Sequence, residues 1–235
     1  MTGNKIKIAL CISGEPRDSM VSFSFIYESF LRPYPNLDID VYVHSFKPYR
    51  ALELYLPTEV FIDYNDESLI YNNHICNWGL NPQHYIKTPF RNTFLMHYGI
   101  QKSFKLTKEK EYDYYIRLRP DIIFSSRVDL NYIINSLKVN NKDMWVPHCY
   151  GYEDWEYKLN DQFAVCNLKS FRIYTDLVNN LHKLILQTNS YIPEELLGTF
   201  IKENNIKVER GDVEMSLLRK ARLTTYPQRN FIAIN

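Results

Sequence analysis

Two short stretches hold the groups best suited to chemistry. In DYYIRLRPD, residues 113–121, the alternation of a β-strand places Asp113, Tyr115, Arg117 and Arg119 on one face and Tyr114, Ile116 and Leu118 on the other. Two arginines on a central strand are costly unless each meets a carboxylate or a ligand anion. A guanidinium can grip diphosphate-type oxygens through two parallel hydrogen bonds, which makes Arg119 a candidate anion binder. Arg117, deeper in the strand, reads as the partner of an internal carboxylate. Pro120 ends the regular ladder and frees Asp121 at the strand tip. There it could hold Mg²⁺ or Mn²⁺, ions often bound by only one or two carboxylates together with phosphate oxygens and water. The second stretch, Asn160, Asp161 and Gln162, sets three hydrogen-bonding side chains at the entrance to the short apolar run FAV.

The elements that must position these groups are legible as apolar runs between breakers. Residues 5–12 (KIKIALCI) read as a buried strand, followed by the turn Ser13-Gly14-Glu15-Pro16-Arg17 and a helix with Pro16 in its first turn. Further strands are expected at 39–46, 59–63, 112–118, 144–147 and 162–165, and helices at 92–108, 168–186 and 193–203. Residues 66–87, polar and aromatic, read as an irregular surface excursion. Strands alternating with helices predict an α/β fold, a mainly parallel sheet with helices on both faces, in a single domain over 1–235. Such sheets bind ligands at the carboxyl ends of their strands, where Ser13, Gly14, His44, Arg119 and Asp121 all fall.

Composition excludes several classes. A net charge of +1 is too small for a protein whose main partner is nucleic acid. No apolar run approaches the roughly 20 residues that cross a bilayer, and the first residues do not read as a signal peptide, so a soluble, cytoplasmic protein is expected. The four cysteines are too scattered for a zinc or redox motif, and Cys11 and Cys166 read as buried thiols.

The strand YDYYIRLRPD, a helix before it and NDQFA after it resemble a group of bacterial, viral and plant proteins related to the GT-A glycosyltransferase superfamily. The opening IALCISGEPRD, the strand ending in His44 and the segment PEELL at 193–197 match in order as well. The resemblance implies a GT-A-like, Rossmann-like domain that moves a sugar from a nucleoside diphosphate sugar to a glycan or other hydroxyl acceptor. GT-A enzymes carry Asp-x-Asp at the end of the equivalent strand. Here Arg119 stands in the first position, so only Asp121 is carried over as a ligand for Mn²⁺ or Mg²⁺. Ser13 and Gly14 resemble the loop that seats the nucleotide, with Gly14 allowing close backbone approach and Arg17 reaching toward phosphate, or else an ordinary strand-to-helix turn.

Other assignments follow within that frame. His44 either contacts base or ribose or is a hydrogen-bonded core histidine. Asp161 is the candidate catalytic base for the acceptor hydroxyl, with Asn160 and Gln162 beside it as acceptor-binding groups; the alternative is a turn satisfying its own backbone. Glu194 and Glu195 answer the dipole of their helix unless that helix faces the cleft. The aromatic loop at 149–157, with Trp155 at its centre, is either an acceptor-binding flap or a packed surface loop. Because the first Asp of Asp-x-Asp is missing, a GT-A-like module that binds a nucleotide-sugar or glycan without turnover is the alternative function.

Overall fold

Strand β1 (Ile6–Ser13) is buried along six of its eight residues, as expected of a strand in a sheet covered on both faces. The computed structural model describes residues 5–17, 19–32, 34–64, 67–78, 88–108, 110–148 and 158–218. After β1 come helix α1 (Ser19–Ile26), extended by a π-helical turn at Tyr27–Leu31, strand β2 (Leu37–Ser45), a 3-10 turn at Arg50–Tyr55 and strand β3 (Glu59–Ile62). Helices α2 (Glu67–Asn77) and α3 (Thr88–Lys105) lead to strands β4 (Tyr114–Leu118) and β5 (Ile122–Phe124). Helix α4 (Leu130–Val139) is followed by strands β6 (Met144–Pro147) and β7 (Phe163–Cys166), then helices α5 (Leu168–Thr188) and α6 (Pro193–Glu203). Strands β8 (Val208–Gly211) and β9 (Met215–Leu217) close the described chain.

Seven strands form one sheet in the order β3-β2-β1-β4-β7-β6-β8, and β5 pairs with β9 separately. All neighbours in the large sheet run parallel except β7, which is antiparallel to both β4 and β6. The strand period of two separates the core into two layers. Ala9, Cys11, Tyr42, Tyr115 and Ala164 face α3, α5 and α6, while Ile8, Leu10, Ile12, Ile116 and Leu118 face α1 and α4. Sequence and structure therefore agree on a mainly parallel α/β sheet with helices on both faces.

The helices take their places through amphipathic spacing. On α5, Phe171, Tyr174, Val178, Leu181 and Ile185 recur every three or four residues and are buried. Asn167 caps the start by accepting from Ser170 N, and Asn189 ends the helix in the left-handed conformation. Helix α4 shows the same logic in Leu130, Ile133, Ile134 and Leu137, with Asp129 as its cap.

Three expectations are corrected. Residues 67–77, read as irregular, form α2, because Ile70, Tyr71 and Ile75 make a buried stripe within the otherwise polar segment. The remainder of that excursion, 79–87, lies outside the described residues. Pro16 does not lie in the first turn of α1, which begins at Ser19. Helix α4 and strands β5, β8 and β9 are additions to the elements expected.

Phe171 ties three elements together: its ring stacks on Tyr115 of β4 at 5.4 Å and meets Phe104 of α3 edge-on at 5.3 Å. Phe171→Ala should therefore cost about 3–5 kcal/mol through lost burial and the cavity left behind. Urea unfolding checks this, with the midpoint falling and the slope unchanged.

Candidate functional site

Strands β1 and β4 end together, and the residues that follow them meet. Ile12 pairs with Leu118, so Ser13 and Gly14 lie beside Arg119 and Pro120. Gly14 has φ +137°, and a Cβ there would stand 3.2 Å from Pro120 Cδ and 3.9 Å from Arg119 Cγ. The turn can pass this close only because residue 14 is glycine. Helix α1 is pinned to the same spot by Ser22 Oγ, which donates to the carbonyl of Pro120. The helix and its preceding turn thus bring Arg17 to Asp121, with 3.7 Å between Nη1 and Oδ2.

Asp121 is fully buried, and Arg119 holds it through two hydrogen bonds, Nε to Oδ1 at 2.9 Å and Nη2 to Oδ2 at 3.0 Å. The Asp121 carbonyl accepts from Leu218 N at 2.8 Å, which locks the backbone as well. Arg119 Nη1 makes no hydrogen bond among the described residues, and the Arg17 guanidinium, about one-third exposed, has only its ion pair with Asp121. The ion pair and its hydrogen bonds raise the pKa of Arg119 despite the opposing effect of its burial.

Arg117 points to the same face but sits deeper. It donates from Nη1 to Ser13 O at 2.6 Å, Ser13 Oγ at 3.0 Å and Leu118 O at 2.6 Å. Its Nε and Nη2 have no hydrogen-bond partner among the described residues. The expected pairing with an internal carboxylate is thus replaced by carbonyl contacts. Burial lowers its pKa, while Tyr174, Asp161 and Asp121 pull the other way.

Two histidines are buried in the same layer as Arg117. His44, in register with Ser13, is buried among Phe46, Phe61 and Tyr98, and neither ring nitrogen is hydrogen-bonded among the described residues. Among the described residues it is thus a core histidine without a hydrogen bond. Burial pushes its pKa down to about 4. His97 of α3 is in the same condition, its pKa pushed down to about 3 by burial and then by Arg117. The sequence reading passed over His97, although it continues the buried stripe Phe90, Phe94 on α3 and so carried a signal.

Asp161 enters from the reversed strand. Because β7 runs antiparallel to β4, its first residues lie at the end of the sheet where β4 finishes, and Arg119 N donates to Gln162 O at 3.2 Å. Asp161 is buried; desolvation raises its pKa, against Arg119 and Arg117, which lower it. Tyr174 donates to its carbonyl at 3.1 Å. Asn160 turns back on the chain, its Oδ1 accepting from Gln162 N at 2.9 Å and Phe163 N at 3.3 Å, which is the self-satisfied turn. Gln162 is half-buried beside it. Trp155 and the loop 149–157 lie outside the described residues. Serine, glycine, two arginines and two aspartates from the sequence reading are thus brought to one end of the sheet, with His44 at its margin.

No family model matches the chain, and no curated protein does. Among solved structures, core-mannan synthase A (CmsA/Ktr4) of Aspergillus fumigatus in its Mn/GDP form is similar with a TM-score of 0.50 at 11% identity, over 97% of this chain and 81% of that one. Apo xyloside xylosyltransferase 1 from mouse matches with a TM-score of 0.49 at 9% identity, over 89% and 86%. The mannosyltransferase Ktr4p of S. cerevisiae matches at 0.47 and 11% identity, over 90% and 70%. At such identities the likeness is one of fold, and with core-mannan synthase A the chain shares the GT-A-like architecture. Among the described residues, no helix is long and apolar enough to cross a membrane.

The two histidines give this end of the sheet a pH signature. Their folded pKa values lie below the ordinary value near 6.5, so the unfolded chain takes up protons first as pH falls. Their contribution is complete above about pH 6.5 and is lost between there and about pH 4 for His44 and about pH 3 for His97, at up to about 1.4 kcal/mol per histidine per pH unit. Asp161, raised by burial, acts with the opposite sign. The difference in melting temperature between wild type and His97→Gln, followed from pH 7.5 to about 4.5, should therefore narrow steadily toward the acid end.

Proposed function

We propose that the chain transfers a sugar from a nucleoside diphosphate sugar to a hydroxyl acceptor. The observation that carries this is the pair of guanidinium groups gathered on one buried carboxylate beside Gly14, at the carboxyl ends of β1 and β4. That is where an open α/β sheet receives its ligand. The shared fold with core-mannan synthase A, seen in its Mn/GDP form, supports the reading.

In the proposed reaction the bond between the anomeric carbon and the diphosphate breaks, and negative charge collects on the leaving oxygens. Arg17 and Arg119, with donors still unengaged among the described residues, meet that charge as it develops, so they favour the transition state over the ground state. The acceptor hydroxyl attacks the anomeric carbon and gives up its proton. Asp161 is the proposed base, and its raised pKa improves its basicity while the arginines keep it ionisable. Mn²⁺ or Mg²⁺ on Asp121 is the other way to meet the diphosphate charge. Both of its oxygens already accept from Arg119, and a second guanidinium stands 3.7 Å away. No group of three or more His, Cys, Asp or Glu suited to a metal occurs among the described residues. These residues do not fit a divalent cation, and no step here runs through one.

The burial of Asp161 favours a second reading, a module that holds a nucleotide-sugar or glycan without turnover, because a base must be reached by its acceptor. Release of nucleoside diphosphate separates the two. Under the transferase reading the wild-type chain releases it from its sugar donor, and Asp161→Asn slows release by about 10²–10⁴-fold with donor affinity little changed. A chain that binds donor, shown by a rise in melting temperature, yet releases none is the binding module.

A further inference from the structure

A diphosphate beside Gly14 needs positive charge, and the chain offers it in guanidinium form. An arginine presents two usable edges. On Arg119 the Nε and Nη2 edge is spent on Asp121, which fixes the plane of the group and leaves the Nη1 end turned away from the carboxylate. Arg17 approaches the same Asp121 from α1's side, with none of its guanidinium hydrogens bonded among the described residues. Asp121 itself has no exposed surface, so its role toward a ligand is indirect. Counting Arg117, three arginines stand with the carboxylates of Asp121 and Asp161 and, acting on Arg119, of Glu194, so each carboxylate is already met by a guanidinium and none is left over for a cation.

Resting on the transferase reading, we infer that Asp121 is a positioning residue which aims Arg119 and Arg17, and that these two arginines receive the donor diphosphate without a divalent cation. Gly14 completes the arrangement, because its φ of +137° is one that other residues rarely adopt and a Cβ there would press on Pro120. The fork of Arg119 cannot be reproduced by lysine, which carries the charge as a single point and cannot span both oxygens of Asp121 while donating elsewhere.

The test is calorimetric titration of the full chain with inorganic pyrophosphate, UDP and GDP, first in EDTA and then with Mn²⁺. At least one of these probes binds in EDTA, and Mn²⁺ changes its dissociation constant by less than about threefold, under 1.4 kcal/mol's tenfold. Arg119→Lys and Arg17→Lys each weaken metal-free binding by about tenfold or more, the loss expected when a bidentate contact is replaced by a point charge. Asp121→Asn, with one acceptor oxygen in place of two, weakens it in the same way although it removes a negative charge. Binding that appears only with Mn²⁺ overturns this inference and leaves the transferase reading standing. Unchanged or tighter metal-free binding by Asp121→Asn overturns the positioning role. No binding of any probe under either condition overturns both the inference and the reading it rests on.

Discussion

A carboxylate removed from water costs several kcal/mol unless its charge is met at close range, and Asp121 is removed from water completely. Arg119 meets it with two hydrogen bonds in one plane, and that contact dictates much of the surrounding geometry. Arg119 can turn back onto Asp121 only because Pro120 breaks the strand between them. Pro120 can sit there only because Gly14 offers no Cβ, and its carbonyl is then taken by Ser22 of α1. The 7-stranded sheet thus ends in a corner where the segment after β4, folded around its own ion pair, packs on Gly14 after β1 and is held to α1 by Ser22. Removing one member of such a pair is worth about 3–5 kcal/mol, because it strands the other charge.

The reversal of β7 matters as much for what the corner can do. Had β7 run parallel to β4, its entrance would have lain at the opposite end of the sheet, more than four residues' rise away from Arg119. Running antiparallel, it delivers Asp161 and Gln162 to the tip of β4, and Gln162 fixes Arg119's backbone. Two distant segments of sequence, 117–121 and 160–163, become one electrostatic unit through the direction of a four-residue strand.

What could be read from the sequence follows from which physical signals are local. The apolar runs of β1, β2 and β4 and the helical stripes of α5 and α6 announce themselves, since burial on both faces or on one stripe leaves a periodic trace in neighbouring residues. Ser13, Gly14, Arg119 and Asp121 are legible as strand-end groups by the same logic, whereas Arg17 enters only through the resemblance of its loop. Strand direction is not local: nothing within residues 163–166 distinguishes a parallel from an antiparallel partner. The partner of Asp121 was equally hidden, because a lone carboxylate after Pro120 suits a cation as well as a guanidinium until the neighbours are in place. His97 falls at helical spacing from Phe90 and Phe94 on the buried face of α3, so its burial left a trace in the sequence, but its neighbours across the sheet did not.

Arg117 and Arg119 are two residues apart on one face of one strand, yet the fold gives them opposite parts. Arg117 lies one pair inside the ladder, opposite Cys11 and Ala164, where it is fully buried and its Nη1 donates to the carbonyls of Ser13 and Leu118. Those contacts hold the last turn of β1, and therefore Gly14, in place from below. Arg119 lies beyond the ladder, where its side chain keeps some contact with water and its free end faces outward. The first arginine is a support under the loop and the second a hand above it, and the difference comes from a single step of the strand period. One strand thus carries a cation held within the core and, a single period later, a cation at its end that is paired with Asp121.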